Sequence, residues 1–443
     1  MSKKKFDLIV VGAGPAGAIA AKTAGELGIT TALLERKSEI TRISRSCTEA
    51  LGVNEDAFGE FFYFDDSARN LCFPRNGFTI NYQGPYANLY GFHIYTPGGN
   101  RVMMGDCAVQ KKLGNAGRVG IVIDKGELIR GILEQARNSQ VEIFPNSNVW
   151  AVRLIEDGVV VSTSAGDDFT GSYLIAADGV NSRIAKYLGL NKGRKFLGTY
   201  SVASWDIEGV EPPDPDAMVS VMGLDTSISL CRRPEDGLYH VSSGGYDPSL
   251  DHEAGLKNFM TEPAFASWFK NAQGVKRITA CVSSIYEPLK TICIDKRILI
   301  AGDAFWRQET SIIGALMPGR KATASVVLAV KDRKSGKNWI DEYTNWYQEF
   351  YYGPLGEGGR SLGDLKAILS RDDFDYLASL VKETLPPTMK FYSIIRNIGS
   401  AFGRIVPTIR KERPHILQRL SEVRAKSEDE ILEPRRKAGF PNR

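Results

Sequence analysis

The sequence predicts an α/β protein built on a Rossmann-type nucleotide-binding fold, and three segments indicate it. The first is KFDLIVVGAGPAG at positions 5–17, which reads as a buried strand running straight into a glycine-rich turn. An alanine-rich helix and a second apolar strand ending at Glu35 follow it. The second and third segments, at 171–182 and 297–304, are apolar strands that end in an Asp-Gly and a Gly-Asp pair. Strand, glycine turn, helix and strand in this order are typical of a dinucleotide-binding unit.

The glycines of the first segment stand at the spacing that a bound pyrophosphate requires. Gly12 permits the tight turn out of the strand, and Gly14 has no Cβ, so a phosphate can approach the backbone. Gly17 lets the following helix pack closely on the sheet. The N-terminus of that helix offers unpaired N–H groups and a partial positive charge to the phosphates. The predicted phosphate-binding residues are Gly12, Gly14, Pro15, Ala16 and Gly17.

Glu35 is predicted to bind a ribose. It lies 18 residues after Gly17, at the end of the second strand, where a carboxylate can accept hydrogen bonds from the hydroxyls of an adenosine ribose. The alternative is a solvated carboxylate at a strand end.

Composition and charge exclude several classes of protein. With 443 residues, 43% of them hydrophobic and 24% charged, the chain has the composition of a soluble globular enzyme of two or three domains. Its net charge of +4 does not indicate a nucleic-acid partner. The 6 cysteines and 4 histidines include no CxxC pair, so we expect neither a metal site nor a disulfide scaffold, and a reducing cytosol fits best. Apolar runs are too short for a transmembrane helix to be expected.

Basic residues are concentrated near the C-terminus. From Leu385 to the end the chain carries 13 Lys and Arg against 6 Asp and Glu. Apolar and basic residues alternate in MKFYSIIRNIGSAFGRIVPTIRK at 389–411, as they do on an amphipathic helix. Such a helix either packs its apolar side on the body of the protein or lies on an anionic membrane surface. We therefore expect a cytoplasmic protein, with peripheral membrane contact through this region as the alternative.

The nucleotide-binding unit is predicted to be discontinuous. Two intervening stretches are dominated by short strands and form a β-rich substrate domain that covers the reactive part of the cofactor. The end of the chain reads as mainly helical. This layout favours FAD over NAD, because a simple dehydrogenase usually keeps its nucleotide fold contiguous. The predicted boundaries are 1–55, 119–190 and 287–335 for the FAD-binding domain, 56–118 and 191–286 for the substrate domain, and 336–443 for the helical C-terminal region.

The three motifs together resemble those of the flavoprotein group that contains p-hydroxybenzoate hydroxylase and geranylgeranyl reductase. They are VVGAGPAG with Glu35, AADGVNS at 176–182 and LIAGDA at 299–304. The resemblance implies FAD as the cofactor, with Asp303 against the ribityl chain. It also implies that 314–316 lie near the flavin pyrimidine at a helix N-terminus, which can stabilise negative charge on a reduced flavin. The further FAD-binding residues that we assign are Arg36, Arg45, Lys125, Val149, Asp178, Gly179, Gly302, Asp303, Gly314, Ala315 and Leu316.

Within that group the chain is most similar to the geranylgeranyl reductases. Cys47 falls where those reductases carry a cysteine near the flavin, and the helix that begins at Lys125 is similar to the one before their Asp-Gly motif. The aromatic hydroxylases usually show a His and a Pro after Gly-Asp-Ala, and GDAFWRQETSIIGALMPG has neither at those places. We assign Cys47 and Trp306 to the catalytic site, with core packing as the alternative for each. Phe305 has the same two interpretations.

The chain departs from the prenyl reductases in the segment expected to contact the substrate. Their Tyr-x-Trp-x-Phe-Pro motif should fall near Ser227–Arg233, where this chain reads SISLCRR. The same scaffold is therefore expected to be able to take a different unsaturated compound as its substrate. His240 and Tyr239, on a strand predicted to face the cofactor, are candidate proton donors.

The sequence thus predicts an FAD-dependent oxidoreductase that reduces a carbon–carbon double bond of an apolar, isoprenoid- or lipid-like small molecule by hydride transfer from reduced flavin. Since no separate NAD(P)H domain is recognisable, the electrons are expected from transiently bound NAD(P)H or from a carrier protein such as ferredoxin. Two alternatives remain at this point. One is a flavin-dependent aromatic hydroxylase, and the other is an electron-relay flavoprotein.

Overall fold

A computed structural model describes residues 5–139, 141–247, 249–305, 311–332, 334–352 and 368–440. In this part of the chain the strands form four sheets, with helices packed around them. The strands are β1 Lys5–Val11, β2 Thr31–Leu34, β3 Ala50–Gly52, β4 Glu55–Ala57, β5 Glu60–Asp65, β6 Asn70–Phe73, β7 Phe78–Asn81, β8 Tyr86–Leu89, β9 Gly91–Tyr95, β10 Arg101–Met104, β11 Gly120–Ile123, β12 Glu142–Phe144, β13 Val149–Ile155, β14 Gly158–Thr163, β15 Asp168–Ala176, β16 Phe196–Glu208, β17 Ala217–Val221, β18 Ser227–Arg232, β19 Leu238–Gly245, β20 Val275–Tyr286, β21 Cys293–Ile294 and β22 Ile298–Ile300. The helices are α1 Pro15–Glu26, α2 Cys107–Lys112, α3 Lys125–Asn138, α4 Arg183–Tyr187, α5 His252–Thr261, α6 Ser311–Lys331, α7 Ile340–Tyr347, α8 Arg371–Leu380, α9 Phe391–Glu412, α10 Pro414–Ala425 and α11 Glu428–Ala438.

The largest sheet is the predicted nucleotide-binding sheet. Its strands β12, β2, β1 and β15 are adjacent and parallel, β22 lies parallel to the end of β15, and β14 and β13 extend the sheet in antiparallel fashion. Strand β1 is buried from Leu8 to Val11, because both faces of a parallel sheet are covered. The Rossmann-type fold is therefore confirmed. In such open sheets, ligands bind beyond the carboxyl ends of the central strands, here β1 and β15.

Helices α1 and α6 pack tightly on each other beside this sheet. A Cβ on Gly319 of α6 would lie 2.1 Å from the carbonyl oxygen of Ala16 in α1. Of the helices in the described residues, α6 alone has the length and apolar composition to cross a membrane, but 67% of its apolar window is buried. It serves here as a core helix.

A seven-stranded sheet forms the inserted β-rich unit, in the order β10-β9-β17-β18-β19-β16-β20. Because side chains alternate along each strand, the sheet has two distinct faces. One face carries apolar residues such as Ile207 and Leu230, which pack against α5. The other face is polar at its centre and is turned toward the nucleotide-binding fold. The inserted unit is confirmed, whereas its boundaries at 56–118 and 191–286 stay predictions.

The described part of the C-terminal region is helical, as expected. On α9, Ile394 and Ala401 pack against Ile94 and Met104 of the seven-stranded sheet. The apolar side of this helix therefore rests on the body of the protein, which is one of the two interpretations of the basic segment. Basic side chains such as Arg404 lie on its exposed side, and membrane contact stays a prediction.

Candidate functional site

The three motifs meet at the carboxyl ends of β1, β15 and β22. Gly12 turns with a φ of +97°, and a Cβ on it would lie 2.4 Å from the carbonyl oxygen of Ala177 and 3.0 Å from the Cα of Asp178. Gly302 begins the third motif, and a Cβ on it would lie 2.9 Å from the Cβ of Ala16. The glycine turn thus touches both the Asp-Gly and the Gly-Asp segments. One ligand can contact all three.

Gly14 opens onto free space at the N-terminus of α1. A Cβ placed there would meet nothing within 4 Å, and its φ of −69° is one that any residue adopts. By contrast, a Cβ on Gly17 would lie 1.7 Å from the carbonyl oxygen of Gly12. The protein's own packing therefore explains the glycine at 17 but not the glycine at 14. A phosphate against the backbone does explain it, so the turn fits the pyrophosphate of FAD.

Glu35 is buried beside this turn. Its Oε2 accepts the Ala13 N–H at 2.7 Å and its Oε1 accepts the Lys37 N–H at 3.0 Å. Each carboxylate oxygen can still accept a second donor, as a ribose hydroxyl would supply. Ser147 donates its N–H to the Glu35 carbonyl at 2.8 Å, which brings the start of β13 with Val149 next to the same place. These residues fit the adenosine end of FAD, and Arg36 is exposed just beyond it.

Asp178 has a structural use. Its Oδ1 accepts the Ser182 hydroxyl at 2.6 Å and its Oδ2 accepts the Ile184 N–H at 3.1 Å, so it holds the start of α4. Burial raises the pKa of its carboxyl. Gly179 follows with a φ of +85° and open space around its Cβ position. The pair therefore forms a fixed turn against Gly12, and its contact with FAD stays a prediction.

Three tyrosines fix the third motif and the segments before and after it. Tyr343 donates its hydroxyl to the carbonyl of Ile300 at 2.7 Å, and Tyr351 donates to the carbonyl of Gly314 at 2.5 Å. Tyr347, between them, donates to the carbonyl of Leu289 at 2.7 Å. The four-residue spacing of these tyrosines, which the sequence analysis did not use, places one on each successive turn of α7 and of the helical segment that follows it.

The residues expected nearest the flavin ring have different surroundings. Phe305 is fully buried, with its ring 4.8 Å from that of Tyr347 and 5.1 Å from that of Tyr351, so it is a core residue. Gly314 and Leu316 are buried near the start of α6, and Ala315 between them is partly exposed. Trp306, assigned to the catalytic site, lies outside the described residues.

Cys47 lies on a loop between the nucleotide-binding fold and the seven-stranded sheet. Its Sγ accepts the Glu49 N–H at 3.4 Å, and the Lys125 Nζ is 3.9 Å away. Arg45 on the same loop donates through Nη2 to the Ser283 hydroxyl of β20 at 3.3 Å. The thiol is half-buried beside a cation. Two of the assigned cations, Arg45 and Lys125, thus hold the Cys47 loop in place.

A buried ionic network, which the sequence reasoning missed, ties this loop to the sheet. Arg233 is 2% exposed and donates to the carbonyl oxygens of Cys47 at 3.2 Å and Thr48 at 3.3 Å. It also pairs with Asp206 at 3.0 Å and with Glu49 at 3.4 Å. By contacting two backbone carbonyls from the end of β18, Arg233 defines the position of Cys47.

His240 is the end of this network. Its Nδ1 is 2.8 Å from Asp206 Oδ1, and Arg277 reaches the other carboxylate oxygen of Asp206 at 2.7 Å. Burial by itself would raise the pKa of Asp206, but the hydrogen bond from His240 and the charge of Arg233 outweigh it and hold that pKa at about 2. Burial lowers the pKa of His240. Arg233 Nη2 is also 2.8 Å from this Nδ1, so a carboxylate and a guanidinium both contact the same ring nitrogen of His240. Tyr239, the other candidate proton donor, points to the opposite face and packs in the core.

Replacing Cys47 with alanine is expected to lower turnover by at least ~10-fold, because the thiol beside the cofactor site is lost. The free energy of unfolding should change by less than ~1 kcal/mol, since the side chain is only half-buried. The matched control is Cys231→Ala, which empties a fully buried core position and should cost ~1 kcal/mol of stability with little effect on turnover. Unchanged kinetics in Cys47→Ala would show that Cys47 contributes to packing and not to turnover.

Comparison with known proteins identifies a family and relatives of this chain. The model of a family described as FAD binding domain matches residues 5–243. The chain is 29% identical to a digeranylgeranylglycerophospholipid reductase of Methanosarcina acetivorans, over 92% of this chain and 96% of that protein. Its fold is similar to that of a geranylgeranyl bacteriochlorophyll reductase-like protein from Thermoplasma acidophilum, with a TM-score of 0.69, 19% identity and coverage of 95% and 100% of the two chains. A p-nitrophenol 4-monooxygenase from Pseudomonas putida has a TM-score of 0.59 at 15% identity, with 98% and 99% covered.

Proposed function

Because the chain belongs to the FAD binding domain family, we propose that it reduces a carbon–carbon double bond in an unsaturated, lipid-like substrate. The chain is an FAD-dependent oxidoreductase similar to geranylgeranyl reductases. One observation carries the proposal: the likeness to a digeranylgeranylglycerophospholipid reductase extends over 92% of the chain, through the nucleotide-binding fold and the substrate sheet alike. The likeness to the monooxygenase is at 15% identity and concerns the fold alone.

Bound FAD would supply a hydride to one carbon of the double bond, and a proton completes the neighbouring carbon. The residues of the chain bind and orient FAD and the substrate, and they shield the reacting atoms from water. Gly14 and Glu35 would hold the pyrophosphate and the ribose, and the segment at 314–316 would hold the ring at the start of α6. The seven-stranded sheet would cover the ring and keep water from the reacting atoms. Arg233 and Lys125 fix the Cys47 loop between them.

The proposal is tested by following the substrate rather than the cofactor. Holoprotein would be reduced with dithionite under argon and mixed with a digeranylgeranylglyceryl phospholipid, so that no physiological electron donor is needed. We expect the lipid to gain two hydrogens for each flavin reoxidised, measured by mass spectrometry. A lipid of unchanged mass after flavin reoxidation would contradict the proposal. Oxygen incorporation into a substrate under air, without loss of a double bond, would favour the hydroxylase instead.

A further inference from the structure

Strand β20 forms one edge of the seven-stranded sheet. It is 12 residues long, and β16 is its one strand partner in the described part of the chain. An edge strand presents a row of N–H and C=O groups that can pair with another chain, so natural proteins usually cover or interrupt it. On β20 such protection is found at the two ends and is missing from the middle.

The two ends of this edge are closed in different ways. At one end Asn181 takes the place of a neighbouring strand, because its Nδ2 donates to the carbonyl of Val282 at 2.8 Å and its Oδ1 accepts the Ser284 N–H at 3.0 Å. At the other end the register with β16 shifts between Asp206 and Ile207. A bulge of this kind bends the strand and ends regular pairing.

The middle of the edge has open backbone groups at Ile278 and Ala280. In an antiparallel sheet the N–H and C=O of one residue point to the same side, and those of the next residue point to the other side. Because Val282 and Ser284 direct these groups away from β16, Ala280 and Ile278 do so as well. Within the described ranges no hydrogen bond reaches the N–H or the carbonyl of either residue. Four backbone groups are thus available for pairing.

An exposed apolar strip runs along the same edge. Val275, Ile278 and Val282 are 41%, 69% and 58% exposed, and Phe440 is 66% exposed. Phe440 is fixed at one end of the strip, because its carbonyl accepts the Ser284 hydroxyl at 2.7 Å. We call the following five residues the edge strip: Val275, Ile278, Ala280, Val282 and Phe440.

The edge strip lies on the α5 face of the sheet. Ile278 is paired with Trp205 and Val275 with Ile207, and these two partners pack in the core beneath α5. Directly paired residues place their side chains on the same face, so Ile278 and Val275 border that core. Since side chains alternate along a strand, Ala280 follows on the same face. The strip is therefore a continuation of an apolar core to the surface.

The edge strip is complementary to itself. If a second copy is placed antiparallel to the first, with Thr279 at a two-fold axis perpendicular to the sheet, Ile278 of each copy lies opposite Ala280 of the other. Each of these two pairs exchanges two backbone hydrogen bonds, which uses all the open groups of both copies. A large side chain meets a small one in each pair, so the two side chains fit beside each other.

The ends of the strip match in the same arrangement. The axis sets the Val275 end of one copy beside the end formed by Val282 and Phe440 in the other. Because the axis is perpendicular to the sheet, the α5 faces of both copies lie on the same side. The apolar side chains of the two strips therefore form one continuous surface across the axis.

Charge favours a second copy over an acidic protein or a lipid bilayer. The two cations of β20 already have partners: Lys276 Nζ is 2.8 Å from Glu208 Oε2, and Arg277 Nε is 2.7 Å from Asp206 Oδ2. An anionic membrane attracts a protein through basic groups that are free to meet it. The edge strip itself is uncharged, so the surface that matches it is apolar and neutral, as the strip of another copy is.

We propose that two copies of this chain associate through their edge strips, so that their seven-stranded sheets join into one sheet across a two-fold axis at Thr279. Four backbone hydrogen bonds and the burial of both strips stabilise the pair. An interface built on one strand edge is small, which is typical of a reversible association. No residue of the strip belongs to the candidate FAD site, so the proposal is independent of the proposed function.

The association is measured by sedimentation velocity of the full-length, FAD-loaded protein from about 1 to 200 μM. We expect a monomer–dimer equilibrium with a Kd of about 10 μM. Ile278→Lys places two like charges about 7 Å apart across the axis and should weaken the dimer at least ~30-fold. The matched control is Ile155→Lys, the same change at an exposed isoleucine of β13, which should leave the Kd unchanged.

A cysteine at position 279 tests the strand pairing itself. At the axis the two copies of this residue form a non-hydrogen-bonded pair, with Cα atoms about 4.5 Å apart, which a disulfide can bridge. We expect Thr279→Cys to form a covalent dimer under mild oxidation, seen on a non-reducing gel. The wild-type protein is the control, because its Cys281 lies opposite Arg277 of the second copy and should not be crosslinked.

A wild-type protein that remains monomeric up to about 200 μM would overturn the proposal. A dimer that persists in Ile278→Lys, or one in which Thr279→Cys gives no covalent dimer, would overturn it as well. A monomeric protein that floats with anionic phospholipid vesicles, and loses this binding in Ile278→Lys, would assign the edge strip to a bilayer and not to a second copy. Reduction of the lipid by a monomeric protein would overturn the dimer alone and leave the proposed function standing.

Discussion

Replacing Gly14 with valine is expected to abolish FAD binding while leaving the protein folded. The backbone at this position has an ordinary φ of −69°, and a new side chain would meet no protein atom within 4 Å. It would instead fill the space in which the pyrophosphate approaches the N-terminus of α1. We expect FAD affinity to fall at least ~100-fold, because the valine side chain and the phosphate would have to occupy the same space. The bound FAD is measured by the absorbance of the purified protein, and the FAD affinity by titration of the apoprotein with FAD.

Two further glycine variants control this experiment. Gly17→Val should fail to fold or lose ~3 kcal/mol or more, because its Cβ would lie 1.7 Å from the carbonyl oxygen of Gly12. Gly193→Val, at a position with nothing within 4 Å and far from the turn in sequence, should affect neither FAD binding nor folding. A yellow Gly14→Val protein with normal FAD affinity would show that the phosphates lie elsewhere.

Replacing Arg233 with methionine is expected to lower the free energy of unfolding by about 3–5 kcal/mol. The guanidinium is 2% exposed and compensates two carboxylates, those of Asp206 and Glu49, which are themselves buried. Methionine fills much of the volume but leaves both charges without this partner. The same change frees the carbonyls of Cys47 and Thr48, so turnover of the remaining folded protein should fall as well. Urea unfolding followed by tryptophan fluorescence measures the stability.

The neighbouring arginine provides the control. Arg232 pairs with Asp216 at 2.6 Å, but its side chain is 24% exposed, so Arg232→Met should cost only about 1 kcal/mol. Adding Asp206→Asn to Arg233→Met should recover part of the loss, since one unpaired charge is removed. If the two replacements lowered the free energy of unfolding equally, the network around Arg233 would not be a buried ionic cluster.

Much of the nucleotide-binding fold could be predicted because its signals are local. The turn Gly12-x-Gly14-x-x-Gly17, the strand before it and the helix after it lie within a few residues of one another. Each of the other two motifs likewise combines an apolar strand with a turn. Periodicity alone therefore indicated the elements, and the known handedness and order of such folds supplied their assembly.

The ionic network could not be predicted in the same way. Glu49, Asp206, Arg233 and Arg277 come from distant segments, and their meeting depends on the strand register of the seven-stranded sheet. Register is set by packing and turn geometry over the whole sheet, which one sequence does not reveal. A partial signal was present in SISLCRR, where polar residues at alternate positions indicate a polar face rather than an aromatic one.

The central claim is that one FAD molecule is held by three chain segments that meet at the carboxyl ends of β1, β15 and β22. The most direct measurement is a crystal structure of the yellow protein as purified. We expect density for FAD running from Glu35 past Gly14 and Asp303 to 314–316, with its ring facing the seven-stranded sheet. Density for FAD at any other place, or a ring turned away from the seven-stranded sheet, would contradict it.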